Sequence, residues 1–296
     1  MKNRFFITAV SSLKNLFYYY YFILFFILCI LAVICSTYFM ITKKRFIFLN
    51  EIEDYQWFNE WFPDIANGML YDMSYSQKCK INELPEDFTK LMDSNEFLDI
   101  GSGGGEASIF HLQQIFGKDT KIVLSDLHPK PELWDKFISS NITYIKSPFD
   151  ATRLYESNFV NNLKQISCFG SFHHMDESTI QKIFDQLQKK DVKMLIVEPR
   201  RYPHVIQYLH ILTLPIMGLL SYSIISLFGS TIVAKNPLNG ILRFLMVPFF
   251  MTTDHILGAS RRYSLCEIEN MGKKSRLQTF HHSDLMFDYY ILVPVY

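Results

Sequence analysis

Glu96-Phe97-Leu98-Asp99-Ile100-Gly101-Ser102-Gly103-Gly104-Gly105-Glu106 reads as an apolar strand running into a glycine turn that opens a helix. Phe97, Leu98 and Ile100 supply the strand, and Ile109, Leu112, Ile115 and Phe116 return at helical spacing beyond the turn. Glycines at 101, 103 and 105 permit positive φ and remove side chains that would keep a ligand away from the backbone. The strand, turn and helix that a nucleotide-type cofactor requires are therefore in place, although a purely structural turn would leave the same glycines.

Spacing narrows the choice of cofactor. A dinucleotide fingerprint counted from Gly101 needs a small residue at 106, where Glu106 stands; counted from Gly103, its third position falls on Ser108. A carboxylate at the helix start repels a pyrophosphate and suits a cofactor without phosphates. Residues 121–125 read as a second buried strand ending on Asp126, about twenty residues past the turn, where a carboxylate accepts both ribose hydroxyls. A strand-end Asp that caps the next turn is the alternative. Residues 142–145 form a third short strand, followed by Asp150.

A fourth strand at 166–169 leads into Gly170-Ser171-Phe172-His173-His174-Met175. Neighbouring side chains on an extended segment point to opposite sides, so one histidine is expected to face a site and the other to make a structural hydrogen bond. Neither Cys-x-x-Cys nor His-Glu-x-x-His spacing accompanies the pair, so no metal site is expected. A helix over 178–187 carries Ile180, Ile183, Phe184 and Leu187 on one face, and 194–197 make a fifth strand ending at Glu198-Pro199.

The pattern Asp-x-Gly-x-Gly-x-Gly at 99–105 resembles motif I of the class I S-adenosylmethionine-dependent methyltransferases, and the strands and helices of about 95–200 follow in that family's order. The resemblance implies an α/β fold with a doubly wound, Rossmann-like, mostly parallel sheet. It also implies S-adenosyl-L-methionine held by Asp99, Gly101, Ser102, Gly103, Gly105, Asp126 and Asp150, with Asp99 facing the methionine part and Asp150-Ala151-Thr152 near the adenine. His173 and His174 fall at motif IV, between cofactor and acceptor, and are the catalytic candidates. Methyl transfer is an in-line displacement, so the protein mainly aligns the reactants. A general base is needed only where the acceptor loses a proton, and a histidine serves near neutral pH.

Farther on, Thr253-Asp254-His255-Ile256-Leu257-Gly258-Ala259-Ser260-Arg261-Arg262-Tyr263-Ser264 resembles a segment of a poorly characterised bacterial subgroup, in which Asp-Gly precedes Ser-x-x-Arg-x-Tyr. His255 replaces the glycine. Glu53-Asp54-Tyr55-Gln56-Trp57-Phe58 resembles the subgroup's N-terminal signature, with Asn59 where a proline follows the Trp-Phe pair.

The chain has 296 residues, of which 49% are hydrophobic and 16% aromatic, and the excess is concentrated. Residues 16–42 contain no charge and exceed the roughly 20 residues that cross a bilayer. Tyr18, Tyr19, Tyr20 and Tyr21 lie toward one end and Lys43-Lys44-Arg45 close the other, as an aromatic belt and a basic stop. The expected organisation is an N-terminal membrane anchor at 1–45, a helical lead-in at 46–92, and a methyltransferase domain at 93–296 carrying an apolar insertion at about 205–251. Trp57, Phe58, Trp61 and Phe62 recur at helical spacing in the lead-in.

Within the insertion, 205–234 lack Asp, Glu, Lys and Arg, but only about fifteen apolar residues, Arg243 among them, remain for a return crossing. Helices lying in or dipping into the membrane interface are therefore expected. Ser264 and Glu267 match a capping box. Residues 278–281 and 289–293 read as a hairpin that would add an antiparallel C-terminal edge to the sheet.

A formal net charge of zero and a pI near 7.1 leave no basic footprint, so nucleic acid is not an expected partner. Five scattered cysteines give no disulfide or zinc framework. The expectation is a single-pass membrane methyltransferase whose catalytic domain faces the cytosol, where S-adenosylmethionine is made, and whose acceptor is a lipophilic or membrane-associated small molecule. The competing readings are a nicotinamide-dependent oxidoreductase on the same sheet type and a non-catalytic membrane-bound binding module.

Overall fold

A computed structural model describes residues 2–49, 51, 55, 57, 84–156, 165–228 and 237–296. Of the expected lead-in, 46–49 carry no helix, and 58–83, with Trp61 and Phe62, lie outside the described residues. In the Glu53 to Phe58 signature only Tyr55 and Trp57 are described.

In chain order the principal elements are α1 (Lys2–Thr42), β1 (Glu96–Ile100), α2 (Glu106–Phe116), β2 (Lys121–Ser125), β3 (Ile142–Tyr144), β4 (Gln165–Phe169), α3 (Glu177–Lys190), β5 (Lys193–Pro199), α4 (His204–Phe228), α5 (Pro237–Arg261), α6 (Leu265–Lys274), β6 (Leu277–Ser283) and β7 (Phe287–Pro294). They form two compact units, one of residues 1–52 with 203–260 and one of 53–202 with 261–296.

The second unit is built on one seven-stranded sheet in the order β3-β2-β1-β4-β5-β7-β6. β1 to β5 are parallel. β7 joins β5 antiparallel and pairs with β6 as a hairpin. This is the doubly wound, Rossmann-like sheet with an antiparallel C-terminal edge that the alternating pattern implies. β1 stands between β2 and β4, where the winding reverses, and ligands of open α/β sheets bind at that point, beyond the carboxyl ends of the strands.

Alternation along the strands sends successive side chains to opposite faces. Leu98, Ile100, Ile166, Cys168, Met194 and Ile196 pack on one face against Ile180, Ile183, Phe184 and Leu187 of α3 and Ile268 and Met271 of α6. Phe97, Ile122, Leu124, Leu195 and Val197 pack on the other against Ile109 and Leu112 of α2 and against Trp134. Each of these fully buried large side chains contributes about 1.5–3 kcal/mol relative to exposure. α3 starts where the Asp176 carboxylate accepts the Thr179 amide at 2.7 Å. α6 starts with the expected capping box of Ser264 and Glu267.

The first unit comprises α1, α4 and α5. Leu28, Ala32 and Cys35, spaced as one helical face of α1, cluster with Ile211 and Leu214 of α4 and Ile256, Leu257 and Ala259 of α5. The opposite face of α1 exposes Phe22, Ile23, Phe26, Ile30, Val33 and Ile41. Residues 19–42 and 205–224 are each long and apolar enough to cross a membrane. The apolar insertion thus folds as two helices that group with the N-terminal one.

Candidate functional site

The glycine turn is fixed from beneath by serines. The Ser102 hydroxyl donates to the Asp99 carbonyl at 3.0 Å and accepts the Ser125 amide at 3.1 Å, while the Ser102 amide donates to the Ser125 carbonyl at 3.0 Å. Ser125 Oγ donates to the same Asp99 carbonyl at 2.7 Å. The ends of β1 and β2 are stitched together, and the Ser102 side chain is occupied in doing so. Gly101, Gly103 and Gly105 take φ of +64°, +49° and +79°. A Cβ at Gly101 would lie 2.6 Å from Ser171 Oγ, so the turn also abuts the loop after β4.

Asp126 is drawn onto this turn. One carboxylate oxygen accepts the Gly103 amide at 2.9 Å and the other the His128 amide at 2.8 Å. The Gly103 carbonyl accepts the indole N–H of the buried Trp134 at 2.9 Å. Asp150 is exposed, and one of its oxygens accepts the Thr152 amide and hydroxyl at 2.9 and 2.7 Å, shaping the helical turn that follows. The neighbouring Phe149 amide donates to the Asp126 carbonyl at 2.8 Å, which ties this segment to the end of β2.

Asp99 is fully buried. Its Oδ1 accepts the Ser167 hydroxyl of β4 at 2.8 Å, and its Oδ2 has no hydrogen-bond partner among the described residues. Burial pushes the Asp99 carboxyl up to about 6; the Ser167 hydroxyl pulls it back, and the charge of Asp126 adds a little.

The histidines stand differently from the extended arrangement expected. Phe172–His174 form a single helical turn, and the two rings lie side by side with centroids 4.5 Å apart. In a helical turn neighbouring side chains are rotated by about 100° rather than 180°, so adjacent rings can meet. His173 is buried, with Nδ1 2.5 Å from Glu198 Oε2 at the end of β5. The other Glu198 oxygen accepts the Phe172 amide at 2.9 Å. Glu198 therefore holds both the helical turn and the imidazole of His173. His174 is half-buried, and its carbonyl accepts Arg261 Nη2 at 3.3 Å.

Sequence reading noted Glu198 only as a strand end. The signal that could have found it is positional, a carboxylate closing the strand next to the one that precedes the histidines. The Ser-Arg-Arg-Tyr stretch has a supporting role that its pattern did not disclose. Tyr263 donates to the Met175 carbonyl at 2.8 Å and sets its ring edge-on to Phe172, 5.5 Å between centroids. Arg262 donates to the Arg200 carbonyl at 2.9 Å, and Arg201 pairs with Glu267 at 2.9 Å. These bonds lock the loop after β4 to the chain leaving β5.

The structure thus brings Asp99, the 101–105 turn and Asp126 together at the carboxyl ends of β1 and β2, with Ser171 against the turn and His173 on Glu198 at the ends of β4 and β5. The set fits an uncharged ribose with a cationic amino acid part better than a phosphate. Its carboxylates, Asp99 and Asp126, would repel a phosphate.

No family model and no curated protein matches this sequence. Solved structures are similar to it. An O-methyltransferase from neocarzinostatin biosynthesis, in complex with S-adenosyl-L-homocysteine and 1,4-dihydroxy-2-naphthoic acid, is 11% identical with a TM-score of 0.48, over 90% of this chain and 69% of that one. An O-methyltransferase family protein from Burkholderia thailandensis is 10% identical with a TM-score of 0.45, over 78% and 59%. Human N-acetylserotonin methyltransferase, in complex with SAM, is 11% identical with a TM-score of 0.40, over 70% and 50%. The chain spans about half to six tenths of the length of several of the solved structures it matches.

Proposed function

We propose that this chain is an S-adenosylmethionine-dependent methyltransferase that acts at a membrane on a lipophilic or membrane-associated small molecule. The observation that carries the reading is the glycine turn with Asp126 drawn onto it at the carboxyl ends of β1 and β2. In this reading Asp126 and the turn hold the ribose, Asp99 the amino group of the methionine part, and Asp150 stands at the adenine. When bound, the cofactor supplies a methyl group on a sulfonium, activated for displacement.

The protein's own part is alignment and proton handling. His173, oriented through Nδ1 by Glu198, takes the proton of an acceptor hydroxyl or amine at its Nε2, and the Glu198 carboxylate stabilises the imidazolium that forms. His174 lies against the same ring and borders the acceptor side. α1 is the anchor, with the sheet-bearing unit in the cytosol where the cofactor is available.

Calorimetry on the detergent-solubilised chain tests the cofactor assignment. S-adenosylmethionine should bind, and Asp126→Ala should weaken it by about 1.5–3 kcal/mol through the lost charged hydrogen bonds. Equal affinity in the variant, or a preference for a nicotinamide nucleotide, would overturn the assignment.

A further inference from the structure

We infer that α1, α4 and α5 cross the bilayer together, so that the chain passes the membrane three times and the α4–α5 connection lies on the side opposite to the ends at which the chain enters and leaves this helical unit. This rests on the membrane reading of α1 and goes beyond a single anchor with an interfacial insertion.

A helix that lies in the membrane interface needs a charged or strongly polar face toward the headgroups. α4 has none, since 205–234 contain no Asp, Glu, Lys or Arg. Its exposed side includes Val205, Ile206, Leu209, Ile216, Met217, Leu220 and Ile224, while Ile211 and Leu214 are buried within the unit. A helix apolar on both sides and largely uncovered by protein is a span.

Gln207 donates to the Ala259 carbonyl at 2.7 Å, and Gly218 abuts Thr252, where an added Cβ would come within 2.8 Å of Thr252 Cγ2. Numbers rise along α4 as they fall along α5, so the two helices are antiparallel. The Phe46 amide donates to the Ser260 carbonyl at 3.0 Å, which sets the end of α1 beside the same end of α5. The chain therefore enters and leaves this unit at one end, and a crossing by α4 obliges a return by α5. Both are 25 residues long, and at 1.5 Å per residue each measures roughly 37 Å against a hydrocarbon thickness of about 30 Å.

Within the unit, Ser36, Thr252 and Ser260 are buried and donate to the backbone carbonyls of Val33, Pro248 and Leu257. Asp254 is buried at 1% exposure rather than turned outward. Hydrogen bonding that closes inside the protein is what hydrocarbon surroundings require. The length available for return is thus a continuous 25-residue helix, longer than the apolar run that sequence alone delimits.

Cysteine accessibility in intact spheroplasts carrying the full chain tests this. Asn236→Cys, in the connection between α4 and α5, and the native exposed Cys266 in α6 should react with a membrane-impermeant maleimide from opposite sides. The expected result is label on N236C before permeabilisation, with wild-type chain labelled only afterwards. Ser230→Cys in the same connection provides a second position should N236C fail to accumulate. Reaction of 236 or 230 and of 266 only after permeabilisation would overturn the crossing. Reaction of Cys266 from outside with 236 protected would keep the crossing and instead overturn the cytosolic orientation, and S-adenosylmethionine binding to the same preparation reports separately on the cofactor assignment.

Discussion

At the scale of single residues, two side chains test the proposed division between binding and chemistry. His173→Ala should lower kcat by about 10²–10⁴-fold, the range for loss of a general base, and leave S-adenosylmethionine affinity close to wild type. Glu198→Gln keeps an acceptor for the Phe172 amide but removes the charge facing His173, so its loss should be smaller and fall on kcat. Full activity in both variants would make the pair structural. Asp99 makes the opposite kind of prediction. Its carboxyl is raised to about 6 by burial, so between about pH 4 and 6 the folded state holds a proton that the unfolded state has released. Stability contributed at this position is therefore highest below the unfolded value and falls as pH rises through the folded one. Asp99→Asn should stabilise the fold at pH 7 by on the order of 2–3 kcal/mol, read as a higher melting temperature, and remove this pH dependence while weakening cofactor binding. A melting curve series from pH 4 to 7 that is identical for the two proteins would sink the argument.

At the scale of elements, the glycine turn is a place where three strand ends are spliced. Ser102 and Ser125 tie β1 to β2, Ser167 ties β4 to β1, and Ser171 fills the space that a side chain at 101 would take. Gly101→Ala should therefore suffer twice, from a left-handed φ that costs about 1–2 kcal/mol for an L-residue and from the collision with Ser171. Ser171→Gly in the same chain should recover the collision but not the backbone strain, and a double-mutant cycle on denaturation midpoints measures the difference. Additive effects would mean that the turn relaxes without touching the β4 loop. Glycine at 101 was legible as a turn signal from the sequence. Its second reason for being glycine was not, because Ser171 is seventy positions away in the chain.

At the scale of the whole molecule, an apolar three-helix unit and a cofactor-type sheet share one chain, which argues for an acceptor that partitions into lipid. Incubating the full chain in bilayers with methyl-labelled S-adenosylmethionine and a membrane extract should move label into the organic-soluble fraction, and His173→Ala should slow that transfer by about the same 10²–10⁴-fold. Label confined to water-soluble products would refute the lipophilic acceptor. The amino-acid sequence by itself determined the local features: β1 with its glycine turn, the strand and helix alternation, the Ser264 capping box, the C-terminal hairpin and the long apolar N-terminal helix. Each is written in neighbouring residues, as period, φ preference or cap, so no distant contact is needed to read it. Only the tertiary structure decided that Glu198 orients His173, that Ser167 holds Asp99, that Arg261, Arg262 and Tyr263 brace the loop after β4, and that 203–260 group with α1. Those partners are set by strand order and helix packing, and side chains far apart in the chain carry no mark of which neighbour the sheet will bring to them.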